Sequence, residues 1–279
     1  MNRRSFAFGL GACIVERSVI NASAADPYVI NEFNQYVGFR DTRGRTQVLS
    51  VVDPSTTKVV VIDGQSLLAT ANGTTTYPPT GHVDNLNIYD GGIYDGADPV
   101  LGASYNGYTS PVLRIGDRII ANGKASRVIV IPIAMGGSLW AAYRPDAVNS
   151  CFTRGKTALL RCRALGFEPD AWYVGRGESD AVAGTSAIDL RNSGWAFADG
   201  LRALGYSGPM YIGIHSIQGN IASPTIQSGL AMMVDAARDI RAGINCDTLC
   251  GPSDRIDGTH LTNGGCDKYG YAVADLMFP

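Results

Sequence analysis

Two short stretches, far apart in the chain, hold the residue types that nucleophilic catalysis needs. The first is Gly64-Gln65-Ser66, which follows Asp63 at the end of a strand-like run, Lys58 to Ile62. A serine hydroxyl is a weak nucleophile unless a base takes its proton. The sequence offers three histidines, His82, His215 and His260. In Asp257-Gly-Thr-His260 a carboxylate stands three residues ahead of the imidazole. That spacing lets Asp257 hold one ring nitrogen while the other faces the serine. The arrangement demands Ser66 Oγ within about 2.6–3.2 Å of a His260 nitrogen, looser without substrate. The plainer reading of Ser66 is a helix N-cap. His215, at a strand end, reads as a structural histidine or a substrate contact, and His82 as a solvated loop residue.

These residues can meet only if the elements between them return each to the same place. Val59 to Ile62 has no polar alternation, which suits a strand buried on both faces. Gly64 permits the sharp turn that follows it. Further strands are predicted at 47–52, 85–89, 127–133, 169–174 and 209–214. Helices are predicted at 110–122, 154–165, 187–204, 224–241 and 262–277. The polar stretch 70–82 is long for a compact domain, and such loops are usually functional or mobile. Strands alternating with helices imply a single three-layer α/β/α domain around a mostly parallel sheet. Parallel strands point one way, so Ser66, the Gly136-Gly137 turn, Arg176-Gly-Glu178 and His215 converge at one sheet edge, where such folds bind ligands.

Residues 1–24 have the order of an export signal. Arg3 and Arg4 precede an apolar run, and Ala22-Ser-Ala24 is an A-x-A cleavage site; Arg3-Arg4-Ser5-Phe6 also suits twin-arginine export. The apolar run is too short for a membrane span of about 20 residues. Cleavage would remove Arg3, Arg4, Arg17 and Glu16, taking the formal net charge from −2 to −4 and leaving residues 25–279 as the domain. Mild acidity argues against nucleic acid and anionic membrane partners. Of the cysteines, Cys151, Cys162, Cys246, Cys250 and Cys266 would remain. An oxidising compartment makes them disulfide candidates, first Cys266 with Cys246 or Cys250 around the Asp257–His260 loop, and less strongly Cys151 with Cys162. No H-E-x-x-H, P-loop, nucleotide fingerprint or G-x-S-x-G pentapeptide occurs in a suitable context.

Taken in order, Gly64-Gln-Ser66, Gly136-Gly-Ser138 with Trp140, Gly177-Glu-Ser-Asp180 and Asp257-Gly-Thr-His260 span residues 58–261 with their flanking strand. This set resembles the SGNH hydrolase superfamily, nearest to its sialate O-acetylesterase-like and carbohydrate esterase family 6 group, which includes acetyl xylan esterases. The resemblance implies Ser66 as nucleophile, with His260 and Asp257 completing a triad. It implies an oxyanion hole from the backbone N–H groups of Ser66 and of Gly136 or Gly137. The family usually has Asn after the nucleophile, where this chain has Leu67. It usually has a Gln before Gly-Glu, and Arg176 stands there with its own donors. Gln65, Glu178, Trp140 and His215 are the expected substrate contacts, and Tyr89, Tyr94, Trp140 and Trp172 are candidates to stack on sugar rings. The expected function is an exported serine esterase removing acetyl groups from a carbohydrate, with no metal or organic cofactor. A non-catalytic carbohydrate-binding protein on the same fold and a lipid or thioester hydrolase are the alternatives.

Overall fold

The computed structural model describes residues 27–33, 36–49 and 51–279. The expected export signal lies outside the described residues. The chain forms strands β1 (Thr57–Gly64), β2 (Val83–Leu86) and β3 (Ile93–Asp95), helix α1 (Val112–Ala121), β4 (Arg127–Pro132), α2 (Phe152–Ala164), β5 (Ala171–Gly175), α3 (Glu178–Ala183), α4 (Ala187–Ala203), β6 (Met210–Ile214), α5 (Pro224–Ala231), β7 (Ile240–Asn245), α6 (Cys246–Leu249) and α7 (Asn263–Met277). The seven strands make one sheet in the order β3-β2-β4-β1-β5-β6-β7. Every pairing is parallel except β2 with β3.

The apolar run of β1 sits in mid-sheet, between β4 and β5. Its side chains divide between two cores. Val59 and Val61 join Ile129, Ile131, Trp172 and Val174 beneath α2, α4 and α5. Val60 and Ile62 join Val128, Val130 and Tyr173 beneath α1 and α7. This period-two division, with both faces covered, is why the strand shows no polar alternation. In the first core, Phe197 meets Trp140, Tyr143, Phe152 and Trp172 edge-on, with ring centroids 5.9–6.3 Å apart. Helix starts follow the chain's own signals. Ser186, Ser223 and Thr262 each accept a backbone N–H in the first turn of α4, α5 and α7, and Pro224 opens α5.

Several expectations are corrected. Gln47 makes one isolated bridge, to Tyr94, in place of a strand over 47–52. The strand expected over 85–89 lies at Val83–Leu86, and a further short strand, β3, follows it at Ile93–Asp95. The helix expected over 224–241 stops at Ala231, and Ile240–Asn245 becomes the edge strand β7. Its exposed Arg241 and short length suit an edge, and pairing with β6 overrides the helix-like spacing. All five described cysteines are buried and free, so neither expected disulfide is formed. Cys250 Sγ lies 3.9 Å from the Gly265 carbonyl oxygen and Cys246 Sγ 3.9 Å from the Arg255 guanidinium. These thiols pack as small buried groups. Among the described residues, no helix is long and apolar enough to cross a membrane.

Asp98 anchors the loops that follow β1 and β3. Its Oδ2 accepts the Tyr77 N–H at 3.0 Å and the Thr109 hydroxyl. Burial pushes this carboxyl up to about 6 from 3.8, against the pull of those donors. The folded state therefore holds the proton more tightly than the unfolded chain. Stability from this group is full below the unfolded value and is lost as pH rises from about 4 to about 6. Asp98→Asn mimics the protonated form. Urea titrations across that window should show wild type losing on the order of 3 kcal/mol relative to the variant. Parallel pH profiles would refute it.

Candidate active site

The site starts where β1 ends. Gly64 has φ +156°, and a Cβ there would run into the Gly175 carbonyl, so only glycine lets β1 and β5 close up at this point. Gln65 then donates its N–H to that same carbonyl at 3.2 Å. Its side-chain oxygen accepts from the N–H groups of Gly177 and Ser179 at 3.3 and 3.4 Å, tying the turn that carries Ser66 to the start of α3. Ser66 is the next residue and is half-buried.

The second half comes from the loop before α7. Arg255 pairs with Leu261 in an antiparallel bridge, and Ile256 N–H donates to the His260 carbonyl at 2.8 Å, closing the loop on itself. Asp257 fills it. Its Oδ1 accepts the N–H groups of Thr259 at 2.9 Å and His260 at 2.7 Å, and its Oδ2 accepts the His260 ring Nδ1–H at 2.7 Å. Burial alone would raise the Asp257 carboxyl; the donors from His260 and Thr259 hold it below the ordinary carboxylate value. With Nδ1 as donor, Nε2 keeps its lone pair. Ser66 and His260 line the same cleft, of about 420 Å³. Among the described residues no hydrogen bond joins their side chains, and such contacts are commonly long before substrate binds.

The glycine turn after β4 forms another wall. Gly136 N–H donates to Ser104 Oγ at 2.8 Å, so that amide is already engaged. Gly137, at φ +68°, holds the left-handed position. Among the described residues, the N–H groups of Ser66 and Gly137 have no protein acceptor. Both residues line the cleft, where free backbone N–H groups are the kind of donor an oxyanion needs. The expectation that Gly136 would serve is corrected by its Ser104 bond.

Arg176 is also corrected. It is fully buried and ion-paired to the equally buried Asp63. Its guanidinium lies 3.1 Å from the centroid of Tyr143 and 4.9 Å from that of Trp140, beneath the turn and away from the cleft. Burial raises the Asp63 carboxyl, and the Arg176 charge opposes that. Glu178 and His215 belong to the same buried floor. Glu178 Oε1 meets His215 Nδ1 at 3.3 Å, His215 Nε2 meets the Tyr269 hydroxyl, and that hydroxyl meets Tyr173 at 2.9 Å. Trp140 and Trp172 are fully buried, and Trp140 Nε1 donates to the Arg176 carbonyl at 3.2 Å. None of these side chains is placed to touch a substrate. Tyr89 bonds Glu32, and Tyr94 bonds Asp90 at 2.9 Å, both outside the cleft.

The aromatic wall comes instead from Phe33 and Tyr36. A Cβ on Gly136 or Gly137 would sit 3.2 or 3.0 Å from the Tyr36 ring, so the glycine pair makes room for it. Glu32 fixes this segment by pairing with the buried Arg154 at 3.0 Å. Phe33 and Tyr36 lie in the least readable part of the sequence, with no periodicity to mark them. Asn106 and Gln218 also line the cleft from loops. Among the described residues, no cluster of three or more His, Cys, Asp or Glu could hold a metal ion.

No protein-family model matches the sequence, and neither does any curated protein sequence. Solved structures do match. A protein of Arabidopsis thaliana superposes with TM-score 0.62 at 16% identity, covering 80% of this chain and 98% of the other. A protein described as a GDSL-like lipase from Parabacteroides merdae gives 0.53 at 10% identity, covering 81% and 97%. A variant of an acetyl xylan esterase from Geobacillus stearothermophilus gives 0.52 at 10% identity, covering 82% and 97%. The chain shares their fold. Identities this low carry the fold and nothing finer.

Proposed function

We propose that this chain is a serine esterase that removes short acyl groups, acetyl first among them, from a carbohydrate. The observation that carries the reading is the Asp257–His260 pair, whose free Nε2 belongs to the same cleft as Ser66 and the unpaired amides of Ser66 and Gly137. Ser66 Oγ attacks the ester carbonyl and its proton passes to His260 Nε2. Asp257 holds the ring and stabilises the imidazolium. The two amides receive the oxyanion. Collapse expels the sugar alcohol, which takes the proton from His260. Water then attacks the acyl-enzyme, giving its proton to His260, and acetate leaves as Ser66 Oγ regains one. Tyr36 and Phe33 offer a wall for a sugar ring. The succession of Arg3-Arg4, an apolar run and Ala22-Ser-Ala24 in the sequence supports export to the periplasm or beyond.

A second reading, longer acyl chains, is favoured by one feature. The rim made by Leu139, Val182 and Ala183 is apolar, with Val182 72% exposed. A screen of nitrophenyl acetate, butyrate and decanoate, repeated on acetylated xylan and O-acetyl sialic acid, separates the two. The acetyl reading expects kcat/KM to fall with chain length and acetate to be released from at least one carbohydrate. A maximum at decanoate favours the lipid reading, and no turnover of any ester defeats both.

A further inference from the structure

Asn72 lies outside the residues assigned above, yet it contacts both halves of the site. It is fully buried in the polar loop that follows the nucleophile turn. Its side-chain Nδ2 donates toward the carbonyl oxygens of Ser66, Leu67 and Ala69 at 3.3, 3.0 and 3.2 Å. Its Oδ1 accepts the N–H of Leu261, the residue after His260, at 3.0 Å. Gly73 N–H returns to the Leu261 carbonyl at 2.8 Å, so Leu261 is held on both its backbone groups. The backbone of Asn72 is fixed in turn. Its N–H donates to Thr109 at 3.1 Å, and its carbonyl accepts from Tyr108 and Thr109 at 3.2 and 3.0 Å. A single carboxamide thus spans a sequence separation of 189 residues.

We propose that Asn72 is a positioning residue that aligns Ser66 with His260, an inference that rests on the esterase reading. Asparagine suits the task because its short side chain carries donor and acceptor in one rigid plane. The donor end holds the turn that carries the nucleophile. The acceptor end holds the loop that carries the base. Misplacement of reacting groups by about 1 Å can cost about 100-fold in rate. A slack Asn72 joint would therefore act on kcat and leave ground-state binding to the cleft walls.

The test is a double-mutant cycle on the full chain with nitrophenyl acetate. Asn72→Ala and Asn72→Asp should each lower kcat by about 100-fold, with KM within about threefold. Asn72→Asp keeps the acceptor for Leu261 and sets a carboxylate against the three carbonyls. In the His260→Ala background, Asn72→Ala should cost less than about twofold more, because the alignment has nothing left to align. Circular dichroism at the assay temperature gives the folded fraction of each protein. A kcat that falls only in proportion to that fraction overturns the proposal, as does a loss that adds in full to that of His260→Ala. Wild type that turns over ester beside equally active Asn72 variants overturns it alone. Wild type with no turnover and no labelling of Ser66 by an organophosphonate overturns the esterase reading and this inference with it.

Discussion

Ser66→Ala and His260→Ala should each lose three or more orders of magnitude in kcat on a short acyl ester, and the double variant about as much as either single one. In the proposed mechanism nucleophile and base act as one unit: without Ser66 the base has no proton to take, and without His260 the hydroxyl stays protonated. Asp257→Asn should cost less than either. Two backbone N–H groups, of Thr259 and His260, already fix the side chain at position 257, so much of the loop geometry survives the change. Steady-state kinetics with burst-phase measurement decides. Losses that multiply in the double variant would mean that the two residues act in separate steps. Full activity in Ser66→Ala would move the chemistry elsewhere.

Arg176→Met should destabilise the protein by about 3–5 kcal/mol, because it strands the Asp63 carboxylate in the core without its partner. The double change Asp63→Leu with Arg176→Met should recover most of that loss, since apolar groups of similar volume replace buried ion pairs at little cost. Urea denaturation of wild type and of the two variants measures both effects. Arg176 acting as an oxyanion donor would give the opposite pattern: a large fall in kcat with stability near wild type. Two Arg176 nitrogens, Nε and Nη1, have no hydrogen-bond partner among the described residues, and the guanidinium carbon lies over the Tyr143 and Trp140 rings. The aromatic faces take the place of acceptors there.

The residues that announce themselves in the sequence are those whose job fixes their type. Val59 to Ile62 had to be apolar on both sides, so mid-sheet β1 was legible. Asp257 and His260 were legible because the pair is closed within one loop. Arg176, Glu178, His215 and Trp140 were read toward the cleft because polar and aromatic residues at strand ends face either way. Only the partners decide, and those partners, Asp63, Tyr269 and Tyr143, lie up to 113 residues away. β7 was hidden because Ile240 to Asn245 gains its strand character from pairing with β6. Phe33, Tyr36 and Asn72 sit in loops, where spacing carries no face. The length and polarity of the 70–82 loop set it apart from the other connections without naming a residue.

The mid-sheet place of β1 has a consequence for how the molecule is made. Both sheet neighbours of β1 come later in the chain: Lys58 pairs with Val128 and Val60 with Ala171. A ribosome adding about 5–20 residues per second would leave the Val59–Ile62 segment without its first partner for roughly 4–14 s, the time needed to reach position 128. During that interval the segment is apolar on both sides, uncharged beyond Lys58, and free at both edges, the kind of sequence that associates with copies of itself. Holding chaperones, slow expression or low temperature should therefore change the yield of soluble protein far more than any property of the finished fold would suggest.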